Sequence, residues 1–355
     1  MRLAARLFQR FGRFPFWSQV AITLGSVAIL VALWSACGAN ISMPSRPPLS
    51  SPRTELRGRY GAVMALAFSP AGEWLAAATS DRNVRLWDVS KGEVIRAMKG
   101  HGDLITSLAV SVDGKILATG SADKTVKLWD TSTGNEIRTF TGHTGGITSV
   151  AFSPDGHWLA SSSSDGSVII WDVSSGKQLR SFTGHTGRTN TIAVSSDGLL
   201  LAADDDKTVR LWNPQTGELV CTLAGNESRI LSVAFSPDSK FLATGTSLGV
   251  GLRPTHQGEI RLWNVENGRV EHSFQQAFGN VLYLAFSPDG KTLTSVTESV
   301  DAYTNSQLTF WDAKKLTVLS QFDAERRGQL RAIAYSPDGR WLASGGSSGR
   351  IRLWQ

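Results

Sequence analysis

Tryptophan recurs through most of this chain at a nearly constant interval. Seven tryptophans each close an apolar run, with spacings of 42, 42, 41, 51, 48 and 43 residues: Trp87, Trp129, Trp171, Trp212, Trp263, Trp311 and Trp354. A period of about 40 residues indicates one repeated supersecondary unit, which buries its apolar faces only against its neighbours. We therefore expect one array of repeats and not two independent domains.

Each repeat has the pattern of short strands joined by tight turns. In the third repeat, strands are predicted at 147–152, 158–161, 167–171 and 178–182. Residues 153–156 read Ser-Pro-Asp-Gly, in which proline fixes φ and glycine can adopt the left-handed conformation of a tight turn. A related four-residue turn begins at Ser69, Ser111, Ser195, Ser236, Ser287 and Ser336.

Two dipeptides accompany the repeat. Gly-His occurs at 100–101, 142–143 and 184–185, and the repeated tryptophan is followed by Asp in four repeats and by Asn in two. These features resemble the WD-repeat family over residues 53–355. The resemblance implies an all-β fold, a seven-bladed β-propeller of four-stranded antiparallel blades.

The last repeat has no outer strand after Trp354. Residues 53–57, which precede the first repeat, align with the outer strand predicted at 136–140. We expect this N-terminal strand to pair with residues 350–354 and to close the ring, because an open edge strand invites aggregation.

By the same resemblance, the Gly-His histidine donates to an aspartate six residues before the tryptophan, and a hydroxyl and the indole extend the network. The fourth repeat has Ala202 in place of the hydroxyl. The last three repeats lack the histidine and the aspartate, so they should rely more on packing. We interpret the network as structural, not as a nucleophilic triad, because a buried imidazole–carboxylate pair fixes a loop without any substrate. Its residues are His101, Thr119, Asp123, Trp129, His143, Ser161, Asp165, Trp171, His185, Asp206 and Trp212.

The formal net charge of +6 is confined to the N-terminal segment. Residues 1–57 contain seven arginines and one glutamate, whereas residues 58–355 contain 29 basic and 29 acidic side chains. A nucleic-acid-binding protein needs a basic face on the folded domain. We therefore expect no nucleic-acid partner.

The N-terminal segment combines arginine with a long apolar run. Four arginines and no acid lie within residues 1–13, and residues 20–34 are almost entirely apolar. With Trp17, this run approaches the roughly 20 residues that a helix needs to cross a bilayer. We expect one N-terminal hydrophobic helix that exports or anchors the chain, with the propeller on the extracytoplasmic side, periplasmic or at the cell surface.

Three fates of this segment remain open. Residues 33–38 resemble a bacterial lipoprotein signal, in which Cys37 would carry lipid after cleavage. Alternatively, residues 17–36 stay as an uncleaved anchor, or the segment is removed to leave a free product. The predicted organisation is a signal or anchor segment at 1–37, a tether rich in Pro and Ser at 38–52, and the propeller at 53–355.

Two repeats are longer than the others. The extra residues lie at 245–258 and 298–307, between the second and third strands, and in this family such connections emerge on the same face as the Gly-His loops. Extended loops on a rigid scaffold commonly carry binding specificity. Together with the loop at 326–327, they predict a protein-binding site: Leu248, Arg253, His256, Gln257, Asp301, Tyr303, Asn305, Arg326 and Arg327.

The leading hypothesis is a non-catalytic, membrane-tethered, monomeric propeller that binds one or more proteins on its loop-bearing face, without a cofactor or metal. One alternative is an extracytoplasmic enzyme or small-ligand-binding protein whose central pocket uses Glu298, Asp301 and His256. Another is an intracellular signalling scaffold, which requires that residues 1–37 do not export the chain. Cys221, in a strand-like run, is interpreted as a small buried hydrophobe.

Overall fold

The computed structural model describes residues 18–24, 27–33, 52–56, 58, 60–183, 187–204, 207–247, 258–275, 279–298, 306–325 and 328–355. Several predicted residues lie outside these ranges: Cys37, His185, Asp206, Leu248, Arg253, His256, Gln257, Asp301, Tyr303, Asn305, Arg326 and Arg327.

The first repeat and the segment before it contribute seven strands. These strands are β1 (Ser18–Leu24), β2 (Val27–Leu33), β3 (Pro52–Leu56), β4 (Val63–Phe68), β5 (Trp74–Thr79), β6 (Asn83–Asp88) and β7 (Glu93–Lys99). All but β3 form one six-stranded sheet in the order β1-β2-β4-β5-β6-β7.

Each later repeat forms a four-stranded antiparallel blade, and the last of these blades includes β3. The first strand of each repeat lies next to the first strand of its neighbour around the ring. The strands are β8–β11 (Ile105–Val110, Ile116–Ser121, Val126–Asp130, Glu136–Phe140), β12–β15 (Ile147–Phe152, Trp158–Ser163, Val168–Asp172, Gln178–Phe182), β16–β19 (Thr189–Val194, Leu200–Asp204, Val209–Trp212, Leu219–Leu223), β20–β23 (Ile230–Phe235, Phe241–Thr246, Glu259–Asn264, Val270–Gln275), β24–β27 (Asn280–Phe286, Thr292–Glu298, Ser306–Asp312, Val318–Glu325) and β28–β30 (Leu330–Tyr335, Leu342–Gly346, Ile351–Trp354).

The predicted number of blades is wrong. Among the residues that the structure describes, six four-stranded blades are present and not seven, because the sheet of the first repeat has six strands. Its two additional strands, β1 and β2, come from the apolar segment. Strand β2 joins this sheet by pairing parallel with β4, with Val27 opposite Leu66.

The predicted N-terminal helix is also wrong. Residues that were expected to be helical form the antiparallel pair β1 and β2, in register from Ser18 opposite Leu33 to Leu24 opposite Val27. The run is rich in valine and isoleucine, which favour strands, and a run that is apolar on every side has no period that separates a helix from a strand. Across the described ranges, no helix has the length and apolar character needed to span a bilayer.

The predicted closure by an N-terminal strand is confirmed. Strand β3 pairs antiparallel with β30, with Glu55 opposite Arg352 and Leu56 opposite Ile351. The side chain of Leu56 is buried, and Glu55 lies 3.4 Å from the guanidinium of Arg350. The last blade therefore takes its outer strand from the beginning of the propeller.

The tight turns form as the sequence predicts. In the third repeat, Ser153 Oγ donates to Asp155 Oδ1 at 2.6 Å and accepts from the N–H of Trp158 at 3.0 Å, while Gly156 has a φ of 73°. The apolar strand ends beside these turns supply the core, where Phe68, Phe152, Phe235 and Phe286 are each 1% exposed. The residue types that favour tight turns and the burial of the adjacent apolar side chains thus specify the same strand ends.

Candidate functional site

The second repeat brings its four predicted network residues together. Trp129 Nε1 lies 2.9 Å from Thr119 Oγ1, which is 2.6 Å from His101 Nε2, and His101 Nδ1 lies 2.8 Å from Asp123 Oδ2. A neutral imidazole with its proton on Nδ1 satisfies every contact, because Nε2 then accepts from the threonine hydroxyl. The result is a directional chain of hydrogen bonds from the core tryptophan to a surface loop.

The third repeat has the same arrangement. Trp171 Nε1 donates to Ser161 Oγ at 2.8 Å, and that oxygen lies 2.8 Å from His143 Nε2. His143 Nδ1 lies 3.3 Å from Asp165 Oδ2 and 3.0 Å from Ser167 Oγ. In the fourth repeat Trp212 is buried, while its predicted histidine and aspartate lie outside the described residues.

Burial and hydrogen bonding keep the imidazoles neutral and the carboxylates charged. Burial lowers the pKa of His101 and of His143. Burial by itself would raise the pKa of Asp123, but hydrogen bonds from Thr125, His101 and the Gly102 backbone outweigh it and hold the pKa at about 2.

These groups form a support and not a nucleophilic site. Thr119 and Ser161 have no exposed surface, and each hydroxyl oxygen is already occupied by a tryptophan N–H. A substrate cannot reach either oxygen, although the contacts resemble a hydroxyl–imidazole–carboxylate triad. The arrangement fixes the Gly-His loop to the following turn, because the backbone N–H of Gly102 also donates to Asp123 at 2.9 Å.

In the first repeat Arg85 takes the place of the histidine beside the network aspartate Asp81, and the sequence did not single out this arginine. Arg85 Nη2 lies 2.6 Å from Asp81 Oδ2, and Arg85 Nη1 donates to Thr79 Oγ1 at 2.8 Å. The guanidinium carbon lies 3.7 Å from the centre of the Tyr60 ring. Arginine precedes the tryptophan by two residues in several repeats, so its position in the sequence did not distinguish Arg85.

The last three repeats retain part of the network. Their indoles donate to Thr244, Ser295 and Ser344 at 3.0, 2.9 and 2.8 Å, so packing is not their only support. Asn226, which follows Gly225 as histidine follows glycine elsewhere, is 6% exposed, and Glu325 is 3% exposed and accepts from the Ser348 N–H. The Gly225–Asn226 dipeptide could have been found by aligning it with Gly-His.

The bases of the long connections lie on the Gly-His side of the ring. The N–H of Gly258, just after the connection at 248–257, donates to the carbonyl of Gly279 at 3.1 Å. Ser306, just after the connection at 299–305, accepts from the Leu330 N–H at 3.0 Å and donates to the Gly328 carbonyl at 3.2 Å. Each long connection is therefore bonded at its base to a loop of the next repeat.

A groove of about 420 Å³ lies on the outer side of the fifth and sixth repeats. Its lining includes Lys240, Phe241, His272 and Lys314, but not Glu298. Across the ranges that the structure describes, no three histidine, cysteine, aspartate or glutamate side chains form a group that could hold a metal ion.

This fold and its repeated tryptophan–hydroxyl bonds define a β-propeller of WD repeats. The family model described as "WD domain, G-beta repeat" matches residues 50–88 and 92–130, and the model described as "IFT122 first beta-propeller" matches residues 127–355. The chain belongs to this family of WD-repeat propellers, and the predicted resemblance is confirmed.

Curated relatives match short segments of the chain. It is 39% identical over 69 residues to the U3 snoRNP-associated protein-like YAOH of Oryza sativa subsp. japonica, which is 19% of this chain and 12% of the relative. It is 31% identical over 97 residues to apoptotic protease-activating factor 1 of Rattus norvegicus, 27% of this chain and 7% of the relative. It is 38% identical over 50 residues to the Notchless protein homolog of Arabidopsis thaliana, 14% of this chain and 11% of the relative.

The chain thus spans between 7% and 12% of the length of these relatives. What the similarity supports is the family's general property: WD-repeat propellers bind other proteins and typically serve as non-catalytic scaffolds.

Proposed function

We propose that this protein is a non-catalytic scaffold that binds a partner protein through the face carrying the Gly-His loops, at the fifth to seventh repeats. The observation that carries the proposal is the placement of the described residues that follow the two long connections at 248–257 and 299–305. Their described bases, Gly258 and Ser306, are bonded to the loops of the next repeats. Both described bases therefore lie on the face of the ring that carries the Gly-His loops.

The remainder of this face supports docking because its loops are held by side chains. Asp123 and Asp165 accept hydrogen bonds from the backbone N–H groups of Gly102 and Thr144, at 2.9 and 2.7 Å. A face whose loops are fixed before binding loses less conformational entropy when a partner docks. The network hydroxyls of Thr119 and Ser161 are buried beneath this face.

The test is to replace both long connections by the short connection of the third repeat, residues 164–166, and to measure binding of proteins captured by the unaltered chain. Purified candidates are titrated against both forms by an optical binding assay. A true partner loses at least about tenfold in affinity, since its contacts lie on the replaced loops.

A matched control alters the opposite face. The exposed turn residues Glu266 and Asn267 are replaced by alanine, and this variant should bind as the unaltered chain does. Partners that bind the loop-replaced and control forms equally well would refute the proposed site.

We also propose that the scaffold works outside the cytoplasm and is held at a membrane by lipid on Cys37. The support is in the sequence: arginines precede an uncharged apolar run, and residues 33–38 resemble a lipoprotein signal. Cleavage before Cys37 would remove the segment that contains β1 and β2 and would leave β3 and the repeats in place.

The measurement is the intact mass of the protein from its membrane fraction, beside the Cys37→Ser variant. A chain that begins at Cys37 and carries added lipid mass is expected, and the Cys37→Ser chain should lack that mass. A chain that begins at Met1 without added mass would refute lipidation.

A further inference from the structure

The outer strands of the repeats differ in whether they carry charged side chains. Each leaves one edge without a partner strand among the described residues. Proteins usually protect such an edge with charged side chains. Charged residues are present in β3, β7, β11, β15, β23 and β27, whereas β19 reads Leu-Val-Cys-Thr-Leu and has none.

We propose that β19 is an interface with a second copy of this chain, in which two β19 strands pair antiparallel about a two-fold axis at Cys221. Leu219 and Val220 are 52% and 53% exposed, so both faces of the strand begin with an exposed apolar side chain. Pairing would join two four-stranded blades into one continuous sheet.

The charge pattern favours a second copy as the occupant. Strands β11 and β15 carry Arg138 and Arg180 at the position that Cys221 occupies in β19, as the registers with β10, β14 and β18 show. Antiparallel self-pairing about that position would place two arginines opposite each other, which is destabilising. In β19 the same pairing places a neutral thiol opposite a neutral thiol.

The rest of the self-paired register is also compatible. Leu219 would lie opposite Leu223, and Val220 opposite Thr222, so each cross-strand pair is neutral. An interface that satisfies itself in this way is isologous, which closes at two copies and does not continue into a filament. This inference departs from the expected monomer, and it is independent of the proposed docking face.

The first test is the molar mass of the full chain by light scattering over a range of concentrations. The chain carries Cys37→Ser, so that Cys221 is its single cysteine. We expect a concentration-dependent mass of two chains, and Val220→Lys should weaken the association by about tenfold or more. Ile137→Lys, at the equivalent and also exposed position of β11, should not.

The second test uses Cys221 as a reporter, because its side chain is half-buried and not fully buried as its sequence context predicted. Diamide takes two electrons and two protons from a pair of thiols and becomes a hydrazine, while the two sulfurs form a disulfide. We expect a covalent dimer that Cys221→Ser and Val220→Lys prevent and Ile137→Lys does not. A chain that stays monomeric at every concentration would overturn the proposal, and this result is expected if a strand of another protein covers β19. A dimer that Val220→Lys leaves intact would also overturn it.

Discussion

The hydroxyl of Thr119 forms hydrogen bonds with the ring nitrogens of two larger side chains. It accepts from Trp129 and donates to His101, so that one oxygen satisfies two buried ring nitrogens. Buried polar groups that lose their partner carry the full cost of desolvation. The residue is therefore important for stability even though it makes no contact with solvent.

Thr119→Val should lower the free energy of unfolding by about 2 kcal/mol, since valine keeps the shape and leaves both ring nitrogens unpaired. Urea denaturation measures the change. The exposed Thr141 provides the matched control, and Thr141→Val should change the free energy by less than about 0.5 kcal/mol. Equal effects at the two positions would contradict the role assigned to the Thr119 hydroxyl.

The buried histidines predict how stability depends on pH. The pKa values of His101 and His143 are lower in the folded protein than the ordinary 6.5, so the unfolded state binds protons first as the pH falls. The contribution of these histidines to the free energy of unfolding should therefore be fully present above about pH 6.5. It should decrease as the pH falls below that value. Asp123, with a pKa of about 2 against 3.8, adds a second loss as the pH falls from 3.8 towards 2.

This prediction is measured by urea denaturation at several pH values between 7.5 and 5, a range chosen to cross the ordinary histidine pKa of about 6.5. His101→Asn should reduce the pH dependence, because asparagine cannot be protonated there. Thr141→Val removes no titratable group, and this exposed control should leave the dependence unchanged. A pH dependence that persists in full in His101→Asn would show that its source lies elsewhere.

Among the elements, the outer strands contribute bonds between neighbouring blades. Arg138 on β11 donates from Nη1 to the carbonyl of Ser175 and from Nη2 to that of Ser174, each at 3.0 Å. Arg180 on β15 donates in the same way to the carbonyl of Gln215 in the next repeat. The planar guanidinium holds its N–H groups in a fixed fork that fits two neighbouring carbonyls, whereas the lysine ammonium has no such fixed geometry.

Arg138→Lys should therefore lower the free energy of unfolding by about 1 kcal/mol, as expected for the loss of a hydrogen bond between exposed groups. The exposed Arg269 on the other side of the ring provides the control, and Arg269→Lys should have no measurable effect. Denaturant titration compares the two variants. If Arg138→Lys is as stable as the unaltered chain, the hydrogen bonds between blades contribute little to the free energy of unfolding.

Features of this chain that are determined by a few neighbouring residues were predictable from the sequence, and features that depend on the surrounding fold were not. The turn at Ser153 and Gly156 was predictable because each residue type has its own turn chemistry. The strand at β1 was not, since an unbroken apolar run fits a helix and a strand equally well. Arg85 and Asn226 were missed because the search required histidine, whereas any side chain that forms the right hydrogen bonds can hold the loop.

At the scale of the whole molecule, closure depends on one short strand. β3 is the only part of the last blade that precedes the first repeat, and it covers β30 through Leu56, which is 1% exposed. Pairing the two ends of the propeller costs chain entropy once, and all later contacts around the ring benefit from it. The ring should therefore be sensitive to the loss of these few residues.

Removal of β3 should lower the thermal midpoint and promote aggregation. A chain that begins at Gly58 is compared with one that begins at Pro52, so that the two differ only in residues 52–57. Without Leu56, an apolar side chain is lost from the core, at a cost of about 3 kcal/mol, and the edge of β30 becomes open for pairing with other chains. Calorimetry measures the midpoint and light scattering measures the aggregation. Equal midpoints and equal scattering would mean that β30 needs no partner, because the packing of the ring would then hold the last blade without a closing strand.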